Sequence, residues 1–178
     1  MSTVTYYFDS YDSGGEEWAI TPANMVDGNT ANSSLDGAAN TQLCDGNTGP
    51  GTALGSISKV ELRAYGITYA EGYGPALIPV FSGGDGDINI ATLPTSDGWS
   101  SYVDITSDTN APATWTGSLV QSLDLDVVNP GVFMGVAKIE IRVTYAASTI
   151  VEASTLGLEL DLKTPAVEFS FTLSPDVL

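Results

Sequence analysis

The sequence predicts an all-β chain: an antiparallel β-sandwich of jelly-roll type, followed by a C-terminal two-stranded β-extension. Three observations carry this reading. Gly, Ser, Thr, Asn and Asp punctuate the chain about every 8–12 residues, the spacing of sandwich turns. Between those turns apolar and polar residues alternate, the period of a strand with one buried face. Only one short segment, residues 116–123, carries helix signals, with Thr116 or Ser118 as its N-cap.

Taken in order, the first strand is expected at residues 3–8. Residues 9–55 read as loop-rich, with short strands at most. Further strands are expected at 57–64, 76–81, 102–105, 124–128 and 136–145. Turn signals separate them: Ser13-Gly14-Gly15, Asp45-Gly46-Asn47, Ser82-Gly83-Gly84-Asp85-Gly86, Asp97-Gly98 and Asn129-Pro130-Gly131. An internal echo links two of the strands. Lys59-Val60-Glu61-Leu62-Arg63 recurs as Lys138-Ile139-Glu140-Ile141-Arg142. Alternation buries Val60, Leu62, Ile139, Ile141 and Val143 and turns the Lys, Glu and Arg side chains outward. If the strands are neighbours, cross-strand Glu–Arg and Lys–Glu pairs follow, each worth about 0.2–1 kcal/mol. The alternative is two ordinary amphipathic strands that share a common pattern.

Residues 1–146 are read as the sandwich and residues 147–178 as an extension for assembly or docking. In the extension Leu156, Leu158, Leu160 and Leu162 alternate with Gly157, Glu159 and Asp161, and Val167, Phe169, Phe171 and Leu173 alternate likewise. Each set makes a strand with one apolar face, and two such strands are not stable alone. They are expected to dock on their own sandwich or on another chain.

Charge and composition remove several functions. The 178 residues hold 22 acidic side chains against five basic ones, a formal charge of −17, with no histidine and a single cysteine, Cys44. A field of that sign repels phosphate backbones and anionic bilayers, so neither nucleic acid nor membrane is an expected partner. Without histidine the usual catalytic base and the commonest metal ligand are missing. One cysteine allows neither an intrachain disulfide nor a thiolate zinc site, and its expected role is a small core filler. No Gly-rich phosphate loop precedes a helix and no nucleophile elbow appears. Catalysis is therefore not expected. The first residues lack a basic segment and a long apolar run, so a signal peptide is not expected either.

Two Asp-rich loops remain. Asp85-Gly86-Asp87 places two carboxylates around a glycine but lacks the other oxygens of a calcium loop. Asp27-Gly28-Asn29-Thr30 follows Ala23-Asn24-Met25-Val26. That stretch resembles the Asp-Gly-Asn loop of galactose-binding-like jelly rolls, the discoidin and family-32 carbohydrate-binding modules. The resemblance implies a structural Ca2+ held by Asp27, Asn29 and Glu140. The tryptophan that the family places after its loop is replaced here by Asn32-Ser33-Ser34. Trp18, Trp99 and Trp115 could present flat apolar faces to a sugar, or plug the ends of the sandwich.

A closer resemblance spans residues 1–146. Residues 55–66, 102–112 and 138–145 are similar to β-sandwich modules common in environmental phage proteins. Residues 156–166 and 174–178 resemble β-repeats of phage structural proteins. Together these imply a non-enzymatic virion structural protein, as decoration, minor capsid or tail-associated component, located on a virion or extracellular surface. Its partners would be copies of itself or other virion or surface proteins. Two alternatives stand beside it: a calcium-stabilised adhesion module for host-surface glycans, and a subunit of an extracellular filament built by strand complementation.

Overall fold

A computed structural model describes residues 1–14, 17–50 and 54–146; the predicted extension lies outside the described residues. Two antiparallel sheets pack face to face as a β-sandwich. The strands are β1 (Ser2–Ser10), β2 (Ser34–Asp36), β3 (Thr41–Cys44), β4 (Gly46–Asn47), β5 (Ile57–Thr68), β6 (Ala76–Phe81), β7 (Gly84–Asp85), β8 (Asn89–Ile90), β9 (Gly98–Trp99), β10 (Val103–Asp104), β11 (Asp124–Val128) and β12 (Met134–Tyr145). The larger sheet runs β10-β5-β12-β1-β4, with β9 also on β5 and β2 also on β12. The smaller runs β3-β11-β6-β7, with β8 also on β6.

The two echoing strands are direct neighbours. β5 and β12 pair antiparallel over most of their length, so Arg63 stands opposite Glu140 and Glu61 opposite Arg142. Val60, Leu62, Ile139, Ile141 and Val143 are fully buried on the inner face. A one-residue slip would expose all five, which fixes the register. Leu125 and Val127 of β11 and Leu77 of β6 face them from the smaller sheet as part of the same core.

The expected outward orientation of the two glutamates holds, but with little exposure. Glu61 and Glu140 point away from the core as alternation requires, yet they are only 4% and 8% exposed. Side chains arriving from other segments cover the outer face, as described below.

The only α-helix among the described residues, α1 (Gly117–Gln121), starts where a cap was expected: the Thr116 hydroxyl accepts from the Leu119 amide at 3.2 Å. Satisfying one orphan amide in this way stabilises such a short helix by about 1 kcal/mol. A 3-10 turn at Pro22–Met25 leads into the Asp27 loop and buries Met25. Cys44 fills core space with no exposure, its Sγ 4.0 Å from the Met25 Sδ. Apolar surroundings, with Asp45 and Asp126 adding to the effect, push its thiol far above the usual range, so it stays protonated and unreactive.

Candidate functional site

The outer face of the larger sheet is the most chemically organised surface among the described residues. Arg142 meets Glu61 as a bidentate pair, Nε to Oε2 at 2.7 Å and Nη2 to Oε1 at 2.8 Å. Arg63 reaches one oxygen of Glu140 with two donors, at 2.9 Å from Nε and 2.6 Å from Nη2. Lys59 lies 2.7 Å from Glu61 Oε1, and Lys138 lies 3.5 Å from Glu140 Oε1. Aromatic rings from β9 and the segment after it then close over the cations. The Arg63 guanidinium sits 3.9 Å from the Trp99 ring centroid and 4.4 Å from that of Tyr102; Arg142 is 3.6 Å from Tyr102. Tyr65 meets Trp99 edge-on at 5.1 Å, and Lys138 stands 4.7 Å over Tyr7.

Trp99, Arg63, Tyr102 and Arg142 thus alternate ring and cation in a ladder across β9, β5 and β12. Guanidinium planes suit this arrangement because they hydrogen-bond at their edges and stack on their faces. Hydrogen bonds from Arg142 hold the Glu61 carboxyl below its ordinary value, against the opposing effect of burial, and Lys59 adds to the lowering. A carboxylate held in this way stays ionised and makes a poor proton donor. The ladder is chemically a rigid, internally neutralised platform. It also gathers Lys59, Arg63, Lys138 and Arg142, every basic residue except Lys163, on one face of a strongly acidic chain.

The smaller sheet presents the opposite electrostatics. On its outer face Asp126 stands between Leu43 and Ile78, and Asp124 beside Val80. Burial raises both carboxyls above the ordinary value, assisted by Asp85 at Asp126 and by Asp45 at Asp124. A raised carboxyl contributes stability that is full below its unfolded value and lost as pH rises through the folded one, so both residues oppose folding at neutral pH. Asp126→Asn is therefore expected to raise the melting temperature at pH 7 by about 1–4 °C. The gain should vanish near pH 3.5; a gain that persists there would assign it to packing instead of charge.

The predicted tryptophans lie apart, whereas the Asp27 loop packs through Gly28 on the ring of Tyr7, the residue paired with Glu140. Trp18 is 1% exposed in the core, its indole N–H donating to the Val127 carbonyl at 3.1 Å. Trp115 is 5% exposed and donates to the Thr106 carbonyl at 3.0 Å. Of the three tryptophans only Trp99 reaches the outer face, and there Arg63 occupies its ring. The three form no common sugar platform. Asp27 accepts from the Asn29 amide at 2.9 Å and Asn29 from the Ala31 amide at 2.9 Å, so both close local turns. Glu140 is engaged by Arg63 and Lys138. A carboxylate already neutralised by two cations does not fit a Ca2+ ligand, so the implied trio does not fit that ion. No three acidic or thiol side chains cluster as a metal site among the described residues. The eight predicted assembly residues, from Leu156 to Leu173, lie outside the described residues.

A groove of about 260 Å³ opens at one end of the sandwich, between Phe81, Trp115, Leu119, Leu123, Asn110 and Asp124. No helix among the described residues is long and apolar enough to cross a membrane. Comparison with protein-family models, curated proteins and solved structures finds no match for this chain.

Sequence reasoning did not reach Trp99 and Tyr102 as lids of a charged cluster. The signal was present in the repeated Lys-x-Glu-x-Arg pattern. Two such strands side by side concentrate charge that needs cover or water, and planar rings are the cover that guanidinium groups accept.

Proposed function

We propose that the protein is a non-enzymatic structural subunit that assembles through residues 147–178. The setting is a virion, where it serves as a decoration, minor capsid or tail-associated component. One observation carries the assembly reading: Met1–Ser148 is a compact unit with a core of its own. The alternating apolar residues of 156–173 are read from the sequence as strand faces that need a surface to bury against. Burying eight large side chains is worth on the order of 10–20 kcal/mol gross. Ordering the segment costs a comparable amount of backbone entropy. Docking against a sheet, with its ladder hydrogen bonds, is what makes burial favourable. The virion setting rests on the resemblance of residues 55–66, 102–112 and 138–145 to phage modules. A glycan-binding adhesion module draws less support, since Trp18 and Trp115 turn their faces inward.

Deleting residues 147–178 tests the reading. Light scattering is expected to give a mass of several chains for the full protein and of one chain for the truncated form. Thermal melting of the truncated form should remain cooperative. Equal assembly of both forms would refute the proposal.

A further inference from the structure

The groove at one end of the sandwich joins apolar walls to an unmatched charge. Phe81 and Trp115 meet edge to face in its lining, their ring centroids 5.9 Å apart, and Pro112, Leu119 and Leu123 add apolar surface. These walls are fixed before any ligand arrives. The Trp115 indole N–H is engaged by the Thr106 carbonyl, and Thr116 caps the helix that carries Leu119. Asn110, in the left-handed region at φ of +63°, is pinned by its side-chain amide, which donates to the Asp85 carbonyl at 2.8 Å. A site built in advance loses little freedom when it binds.

Asp124 is the only charged residue of that lining. Burial lifts its carboxyl above the ordinary value, Asp45 lifts it further, and no described cation or hydrogen-bond donor acts against them. The described cations all stand on β5 and β12 of the other sheet. The neutral polar groups of the groove add acceptors. Ser122 Oγ donates its proton to the Leu119 carbonyl at 3.4 Å and keeps its lone pairs, while Asn110 commits its amide nitrogen to Asp85 and keeps its oxygen. A ligand for such a lining carries only donors at its tip and an apolar stem behind them. A primary alkylammonium group has that form: N–H donors, no acceptor and, in lysine, a flexible hydrocarbon stem. Size narrows the choice. At about 260 Å³ the groove falls short of the ~300–1,000 Å³ of pockets that enclose a whole ligand, so it suits one side chain. The net charge of −17 draws cations toward the surface.

We infer that the groove binds a lysine side chain of a partner protein, its stem against Phe81, Trp115 and Leu119 and its ammonium on Asp124. Binding would supply the Asp124 carboxylate with the opposite charge that favours its ionised form. The aromatic rings would add attraction for the ammonium through their negative faces. A lysine stem covers apolar surface while its head stays at the polar rim, so the two halves of the lining are met at once. The inference goes beyond assembly through residues 147–178 and does not rest on it. A full chain that fails to assemble would leave the groove as it is.

Magnetic-resonance titration of the isotope-labelled full chain tests the inference, with Nα-acetyl-lysine methylamide as the probe. The indole N–H of Trp115 and the amides of Leu119 and Ser122 are expected to shift saturably, and more than any others. The Nε-acetylated form of the probe, which keeps the stem and lacks the charge, should bind about tenfold more weakly, and Asp124→Asn protein should bind the charged probe about tenfold more weakly as well. Asp126→Asn, on the same sheet but outside the groove, should change the affinity by no more than about twofold, the share of the long-range field. Equal binding of the two probes, or no loss in Asp124→Asn, would overturn the inference. Shifts spread over the acidic surface would overturn it too, since they would mark attraction by net charge alone. If Lys163→Gln by itself moves the groove signals, the chain's own Lys163 fills the groove and a partner's lysine does not.

Discussion

Gly66→Ala is expected to abolish folding or to lower stability by at least 3 kcal/mol, the range of the worst core substitutions. An added Cβ at Gly66 would lie 2.0 Å from the carbonyl oxygen of Gly135 and 3.0 Å from its carbonyl carbon. Real side chains do not approach a backbone so closely, and here neither backbone can yield. β5 and β12 are each 12 residues long and pair with one another, and β12 is held again by β1 and β2. The close approach sits beside the register shift between Val136 and Lys138, where one strand holds an extra residue. Gly72→Ala is the control. Its Cβ would meet nothing within 4 Å, but φ of +83° places it in the left-handed region, so only a cost of about 1 kcal/mol is expected. Urea melts of the two variants measure the contrast. A Gly66→Ala protein within 1 kcal/mol of wild type would mean that the β5–β12 junction is looser than described.

That junction shows where the sequence was legible. Alternation over Lys59–Arg63 and Lys138–Arg142 was enough to place ten residues on their correct faces. The reason is physical: the inner residues are branched aliphatics with no alternative burial. The strands at 76–81 and 124–128 were legible from the turn signals that follow them, Ser82-Gly83-Gly84 and Asn129-Pro130-Gly131. Residues 9–55 were legible only as loop-rich with short strands, not strand by strand. β2, β3 and β4 hold only three, four and two residues, too few for a period to appear. Their positions follow from tertiary bonds, such as the Asn47 side chain donating to the carbonyls of Val120 and Leu123, each at 3.0 Å. The fate of the outward face was also hidden. Alternation tells which way Glu61 points but not that Trp99 and Tyr102 will close above it. For Trp18 and Trp115 the sequence left two readings open, a sugar platform or a plug, and local pattern cannot choose between them; here each indole N–H finds a backbone carbonyl and the ring is buried.

Arg142→Met should cost about 2–4 kcal/mol and lower the melting temperature by about 5–15 °C. The substitution keeps much of the side-chain volume and removes the charge. It leaves Glu61, only 4% exposed, with Lys59 as its remaining cation, and it leaves the Tyr102 ring with Arg63 alone. The full penalty of an unpaired buried charge would be larger. It is discounted here because the Arg142 side chain is itself 35% exposed, so water enters once it is gone. The sign of the pH effect separates pairing from packing. In the wild type the Glu61 carboxyl is depressed below its ordinary 4.5. Its contribution is therefore present above that value and is lost as pH falls through the depressed one. The gap between wild type and Arg142→Met should be widest near neutral pH and close as both proteins are acidified. Repeating the substitution in a Glu61→Gln background completes the cycle, and there the cost should fall to about 1 kcal/mol, the share of the Tyr102 contact. A cost that is the same in both backgrounds, or that does not change with pH, would show that Arg142 acts by filling space and that the ladder is not held by its charges.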